Sequence, residues 1–269
     1  MAQAIAGGGT AAPVPRAGRY RWLIVALLFA ATTVNYIDRT MLGLLAPVLG
    51  DELGWSENDY GNIVTAFQAA YALGFLLMGW LIDRFGPKVG YAIAISIWTI
   101  GHVAHGFASS VVSFMMARVI LGVGEAGHFP SVVRASSEWF PQKERSYAIG
   151  WVNSATTIGV ILTAPTIALF MRYLGFDWRQ TFIYTGAFGA MLLILWLWLY
   201  SNPRESGKVS AAELAWIEHD PPEQVERIGW AKIVTKREAW AFAIGKFLTD
   251  PVWFLMLFWL PKYFSTTYN

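Results

Sequence analysis

The sequence predicts an all-α membrane protein: a six-helix N-terminal transmembrane bundle, a polar linker and the first helix of a second bundle. Three observations carry that expectation. Hydrophobic residues make up 55% of the 269-residue chain and charged residues only 14%, against about 25% charged in soluble domains. Seven stretches are long and apolar enough to cross a hydrocarbon core, which takes about 20 helical residues. Basic residues fall on alternate loops, as expected of a multi-span protein.

The elements follow in order. Residues 1–20 are rich in Ala, Gly and Pro and read as a disordered cytoplasmic tail. Arg19 and Arg21 before an apolar run imitate a signal peptide, whose apolar region is only about 7–15 residues long. Here the run continues through Asn35-Tyr36-Ile37-Asp38-Arg39 to Pro47, which makes it a first transmembrane helix. Spans are predicted at residues 21–48, 60–82, 89–108, 112–134, 146–170 and 179–200, together the bundle 21–200. Turn chemistry separates them, including Asp51 to Asp59, Phe85-Gly86-Pro87-Lys88 and Phe140-Pro141-Gln142-Lys143. Residues 201–238 form a cytoplasmic linker, interrupted by Pro203, Pro221 and Pro222; a seventh span is predicted over 239–264, within a last segment 239–269. One helix completes no second bundle, so further C-terminal helices are expected in a full-length chain.

Charge placement gives the orientation. With the N-terminus inside, the inner segments hold Arg19, Arg21, Arg84, Lys88, Arg134, Lys143, Arg145 and the basic residues of the linker, while the outer segments hold only Arg172, Arg179 and Lys262. That bias predicts a multi-pass protein of the inner (plasma) membrane with a cytoplasmic N-terminus. The absence of cysteine excludes disulfides and thiolate metal sites. No nucleophile elbow, phosphate-binding loop or dinucleotide fingerprint is present, so no enzymatic activity is expected.

Ionisable residues inside a membrane are costly and count by default as functional. The bundle holds Asp38 and Arg39 on the first span, and Arg118 and Glu125 on the fourth. At 1.5 Å per residue, Asp38 lies roughly 25 Å beyond Arg21 and Arg118 roughly 24 Å from Arg134, so the two are nearly level and able to pair. Glu125 is two turns from Arg118 on the same face. The expectation is a buried cluster of two acids and two bases between these spans. A matched set could serve packing alone, but four charges exceed that need. Buried carboxylates can carry protons, and an arginine offers a bidentate fork to a substrate carboxylate. Lys246 and Asp250 on the seventh span are spaced for a local ion pair. Asn35, Tyr36, Gln68, Tyr71, Asn153, Thr156 and Thr157 could line a hydrophilic cavity, although such residues more often bond a neighbouring helix. His102 and His105 have no acidic residue or third histidine beside them in sequence, so no metal site is expected; His128 reads as a cavity residue. Gly122-Val123-Gly124 suits close helix packing.

Gly79-Trp80-Leu81-Ile82-Asp83-Arg84-Phe85-Gly86-Pro87-Lys88 resembles the loop between the second and third helices of the major facilitator superfamily, with Pro87 where a basic residue is usual. Arg118-x-x-x-Gly122-x-Gly124-Glu125 is similar to that superfamily's fourth-helix motif. Within it, Asn35 to Arg39, Gly124 to Pro130, the Glu138-Trp139-Phe140-Pro141 run and Thr249-Asp250-Pro251-Val252-Trp253 resemble the anion:cation symporters, in particular the bacterial hexuronate transporters. The resemblance covers residues 20–264. It implies import of a sugar acid such as galacturonate or glucuronate, driven by the proton gradient. By motif, Arg39 would hold the substrate carboxylate with Tyr36 beside it; Asn153 and Thr156, polar residues at the same level of the fifth span, are expected to complete the binding site. Asp38 and Glu125 would carry protons, Arg118 would pair with whichever acid is ionised, and Asp83 and Arg84 would belong to a gate. The expected partners are a small organic anion and the lipid bilayer, with no nucleic acid and no cofactor beyond the coupling proton. Two other classes stand beside this one: a sugar-acid sensor signalling through 201–238, and an intramembrane enzyme using His102, His105 and His128. The first would need a recognisable cytoplasmic domain, and the second would lose activity in a histidine-to-alanine series.

Overall fold

Helices supply all the regular structure in the computed structural model, which describes residues 18–220, 230–260, 263, 264 and 267. The expected tail over 1–17, Pro221, Pro222, Arg227 and Lys262 lie outside the described residues.

Helix α1 (Tyr20–Leu53) runs through Pro47 and stops at Gly54, whose φ of 68° closes the last turn in the left-handed region. Helix α2 (Glu57–His105) opens on a capping box between Ser56 and Asp59 and contains both the second and the third expected spans. A straight helix of its 49 residues would reach roughly 74 Å, more than twice the hydrocarbon thickness. It is not straight. Gly86 leaves helical geometry at φ 76° and ψ 166°, a conformation closed to residues with a Cβ. Pro87, which has no N–H to leave unsatisfied, starts the second arm.

The expected fourth span is broken as well. Helix α3 (Val111–Glu125) is capped by Ser110 and ends at Ala126–Gly127, after which α4 (His128–Trp139) begins. Pro130 has no hydrogen to give the Ala126 carbonyl, so the helical ladder fails there. Helix α5 (Gln142–Ile167) continues into the π-helical turn Ala168–Tyr173, and α6 (Trp178–Leu199) starts from a capping box of Asp177 and Gln180. The linker region holds a 3-10 turn (Pro203–Glu205), α7 (Ala211–Ile217) and α8 (Trp230–Val234) before α9 (Arg237–Phe258). Among the described residues, six helical segments are long and apolar enough to cross a membrane, with both arms of α2 counted as one and α3 with α4 as one. Their outward sides carry exposed large hydrophobics such as Leu73, Leu76, Trp80, Ile194 and Trp198, as a surface solvated by lipid requires.

Close packing sets where α3 sits. A Cβ on Gly122 would stand 2.8 Å from the Phe67 carbonyl oxygen on the first arm of α2, and one on Gly124 would stand 2.7 Å from the Trp98 Cα on the second arm. Helix α3 is therefore wedged between the two arms, and its Arg118/Glu125 side is left for α1. Helix α5 meets α1 through Gly159 at Tyr36 and through a 2.6 Å hydroxyl contact of Thr40 with Thr163.

Polar contacts define two ends. At one, the Arg21 Nε donates to Glu144 at 3.1 Å, the Arg21 backbone N–H donates to Glu213 at 3.0 Å, and the Trp196 indole donates to the Lys88 carbonyl at 2.9 Å. At the other, the Trp178 indole donates to Glu52 at 2.8 Å and the Arg179 guanidinium donates to the Ala108 carbonyl at 2.7 Å. The first is the basic end and the second the acidic end, which also carries Asp51, Glu57 and Asp59.

The wedge gives a direct test. Gly101→Ala would place its Cβ 2.7 Å from the Leu121 Cα, and overpacking of this kind costs about 1–3 kcal/mol. Gly79→Ala meets nothing within 4 Å and gains helix propensity. Thermal unfolding in detergent should show a lowered midpoint for the first and an unchanged or raised midpoint for the second.

Candidate functional site

One face of α1 builds the site. Thr32, Asn35, Tyr36 and Arg39 recur at helical spacing and all four line a cavity of about 710 Å³. Tyr71 and Phe75 of α2, His128, Phe129 and Val132 of α4, and Asn153 and Thr156 of α5 continue its wall. Helix α9 supplies the rest with Phe242, Lys246, Asp250, Trp253 and Phe254. All four expected substrate-binding positions, Arg39, Tyr36, Asn153 and Thr156, thus face one space.

That space is stopped toward the acidic end. The Tyr60 hydroxyl donates to the Phe258 carbonyl at 2.7 Å, and the Tyr60 ring meets the Trp259 ring at 5.2 Å. The lining residues of α1 precede Gly43, which sits against the Phe258 carbonyl, and those of α9 precede Phe258 itself. The cavity therefore lies wholly on the basic side of this contact.

Arg39 is the cation of the inner wall. Its Nε donates to Glu125 Oε2 at 2.7 Å, and its Nη2 reaches Asn35 Oδ1 at 3.5 Å. The guanidinium also lies over Tyr71 at 4.7 Å, Tyr36 at 4.9 Å and Phe67 at 5.5 Å. An aromatic box of this kind holds a guanidinium through the negative ring faces while excluding water. Glu125, 0% exposed at the end of α3, is behind Arg39 as seen from the cavity, with Oε1 free of any hydrogen bond.

The other half of the cluster differs from expectation. Arg118 forms no ion pair with Asp38: its Nη1 reaches the Arg39 carbonyl at 3.5 Å, its guanidinium lies over Phe67 at 5.4 Å, and Nε and Nη2 have no partner. Asp38 instead faces His102, with Oδ1 3.4 Å from Nδ1. His102 therefore does have an acidic neighbour, contrary to the reading from its own span. The signal was present in the sequence. His102 lies roughly 21 Å beyond Lys88 along the second arm of α2, close to the depth of Asp38, so the same counting finds it.

The remaining positions are plainly placed. Lys246 and Asp250 form their local ion pair at 2.7 Å on the cavity wall. Gln68 lines an adjoining space of about 430 Å³ with both of them. His128 is on the cavity wall but fully engaged, with Nε2 at 2.8 Å from the Thr32 hydroxyl and Nδ1 at 2.6 Å from the Tyr91 hydroxyl. His105 directs Nδ1 at the Gly101 carbonyl, 2.7 Å away. Asp83 and Arg84 are exposed beside the Gly86 break and do not line the cavity. The aromatic lining by Phe75, Phe129, Trp253 and Phe254 escaped the polar-residue reading, because an aromatic in a membrane span is indistinguishable in sequence from one facing lipid.

Known proteins share this architecture. The family model described as Major Facilitator Superfamily matches residues 28–269. The galacturonate transporter of Dickeya chrysanthemi is 30% identical over 255 residues, covering 93% of this chain and 73% of that protein. The hexuronate transporter of Escherichia coli (strain K12) is 31% identical over 256 residues, covering 93% of this chain but 58% of its own length. Among solved structures, a bacterial homolog of the human lysosomal transporter Spinster superposes with a TM-score of 0.72 at 21% identity, over 91% of this chain and 55% of that one.

Breaking a buried ion pair by removing one partner costs about 3–5 kcal/mol. Arg39→Met should therefore lower the unfolding midpoint sharply. Adding Glu125→Gln in the same chain should recover most of the loss, since no bare charge then stays buried. Thermal unfolding of the two single variants and the double variant reads this coupling.

Proposed function

This chain belongs to the Major Facilitator Superfamily, and on that premise we propose that it imports a small organic anion, a hexuronate or a related sugar acid, by proton symport through alternating access. The observation that carries this reading is Arg39: a cation on the cavity wall whose ion-pair partner, Glu125, is buried behind it. Its relatives carry names of galacturonate and hexuronate transporters, which agrees with a site built for a carboxylate.

The residues supply a coupling scheme. While Glu125 is ionised, it occupies the Arg39 guanidinium. A proton on Glu125 removes that charge and frees the fork for a substrate carboxylate, bound bidentately. Asn35, Asn153 and Thr156 offer polar contacts to sugar hydroxyls, and Tyr36, Tyr71 and Trp253 offer flat apolar faces to ring C–H groups. About 710 Å³ suits a single small ligand, since such pockets run to roughly 300–1,000 Å³. Asp38 is the second proton carrier, and Arg118, with two donor atoms unused, pairs with whichever acid is ionised.

The basic end is assigned to the cytoplasm by the positive-inside rule, which puts the N-terminus inside. The cavity then opens inward, with Tyr60 and Phe258 closing the outer side. Rocking of one bundle against the other around this midplane site would expose it alternately. Asp83 and Arg84, at the cytoplasmic turn of α2, are placed to act in the gate that closes the inner side.

Galacturonate transport in proteoliposomes separates binding from coupling. Arg39→Ala should reduce both uptake and exchange to background. Glu125→Gln should retain exchange of internal for external substrate but lose accumulation under an imposed pH gradient. Full gradient-driven accumulation by Glu125→Gln would refute its role as a proton carrier.

A further inference from the structure

We propose that Asp38 and His102 share one proton, carried on the Asp38 carboxyl and donated to Nδ1 of the imidazole, which makes His102 a positioning residue for proton coupling. Its place in coupling rests on the transport reading above; the location of the proton does not.

The Thr185 hydroxyl donates to the Thr181 carbonyl at 2.6 Å, and a carbonyl oxygen only accepts. The single hydroxyl hydrogen is thereby used. Thr185 Oγ1 also lies 2.8 Å from His102 Nε2, so the hydrogen in that contact belongs to Nε2. A neutral imidazole carries one N–H, which leaves Nδ1 bare. That bare nitrogen lies 3.4 Å from Asp38 Oδ1, and neither Asp38 oxygen nor Nδ1 itself has a hydrogen-bond partner. Asp38 is 1% exposed and His102 0%, so no solvent relieves them. An ionised carboxylate there would set two acceptors face to face in a dry site. One proton between them removes the conflict.

The surroundings decide which atom keeps it. Arg118 on α3 is the cation facing both residues, with Glu125 the other charge near Asp38. Arg39, next to Asp38 on α1, is engaged by Glu125. On α2 the neighbouring ring is His105, 6.5 Å from His102 and donating from Nδ1 to Gly101. Helix α6 presents Thr185 and the uncharged Phe182 ring at 5.3 Å. An imidazolium would add a second cation beside Arg118, and an Asp38–imidazolium pair would bury two charges, whereas a neutral carboxyl and a neutral imidazole bury none. When the proton leaves, the carboxylate has an alternative partner in the unused Nε and Nη2 of Arg118. The same counting at His128 gives a closed result: Thr32 donates to the Leu28 carbonyl, Nε2 donates to Thr32, and Nδ1 accepts from Tyr91. His102 alone of the two is left needing a shared proton.

Infrared spectroscopy of the lipid-reconstituted protein at neutral pH tests this without transport. A protonated-carboxyl band should be present, be lost in Asp38→Asn, and shift to higher frequency in His102→Phe, which removes its acceptor. Nitrogen-15 NMR of the four histidines should place one hydrogen on His102, at Nε2. Thr185→Val is a milder variant should His102→Phe not fold. It removes the acceptor of Nε2–H, so the hydrogen moves to Nδ1, and the Asp38 band should then disappear at neutral pH and return only at lower pH. A wild-type band that is absent, a band unmoved by both His102→Phe and Thr185→Val, or a doubly protonated His102 would each overturn the proposal. Galacturonate uptake measured on the same samples keeps the two readings apart: no wild-type uptake with the expected band changes defeats the transport reading and supports the shared proton.

Discussion

The ion pair between Arg39 and Glu125 is the constraint on which the rest of the site depends. Two opposite charges at 2.7 Å in a low-dielectric interior attract strongly, yet their desolvation cancels much of the gain. Such a pair is a poor source of stability and a good source of register. It ties the middle of α1 to the end of α3, and it does so only because α3 presents that side to α1. The two glycines at 122 and 124 produce the presentation by letting both arms of α2 approach the backbone of α3. The break at Ala126–Gly127 then ends α3 directly after Glu125, whose Oε1 has no hydrogen-bond partner.

The cavity follows from a second asymmetry. Helix α9 packs on the bundle near its end: Leu257 and Phe258 are its only buried residues among those described, and Phe254 and Trp259 pack beside them against the core. A helix held at one end and apart from its neighbours elsewhere leaves a wedge-shaped space. That space is polar on the α1 and α5 sides, aromatic toward α2, and toward α9 both aromatic and charged, where Lys246 pairs with Asp250. The hydrogen bond from Tyr60 to the Phe258 carbonyl uses no side-chain partner on α9, so it can be made and broken without altering the charge of the site. A contact of that kind suits a surface that must separate and re-form.

Much of this was legible in the sequence, for definite reasons. Membrane spans announce themselves because hydrocarbon thickness fixes their length, and the Gly86-Pro87 turn announces itself because each residue has one conformational use. The split of the fourth span was also written, in Pro130, but apolar continuity masked it. Depth along α1 and α3 brings the charged residues to one level. The partner of Asp38 is hidden because His102 carries no fixed charge at neutral pH. The docking of α7 was not legible at all. It depends on Arg21 meeting Glu213 and Glu144 and on the Trp216 indole donating to Glu144, contacts between residues 72 to 192 positions apart with no shared periodicity.

The cluster as a whole has an arrangement that packing alone does not require. Two acids and two bases could form two closed pairs, which would satisfy every donor and lock α1 to α3. Instead one pair is made, Arg118 keeps two donor atoms unused, and Asp38 turns to a histidine on another helix. Unsatisfied buried donors are costly, and Arg118 retains two of them with both Glu125 and Asp38 acting on it. A proton gained or lost at Asp38 or Glu125 would change the charge that Arg118 meets, because both acids act on it, whereas Arg39 is engaged by Glu125. Arg39 lines the cavity and Asp38, one residue away on α1, meets His102 of α2, so a change in pairing at Asp38 would act on the helix that carries the cavity's arginine.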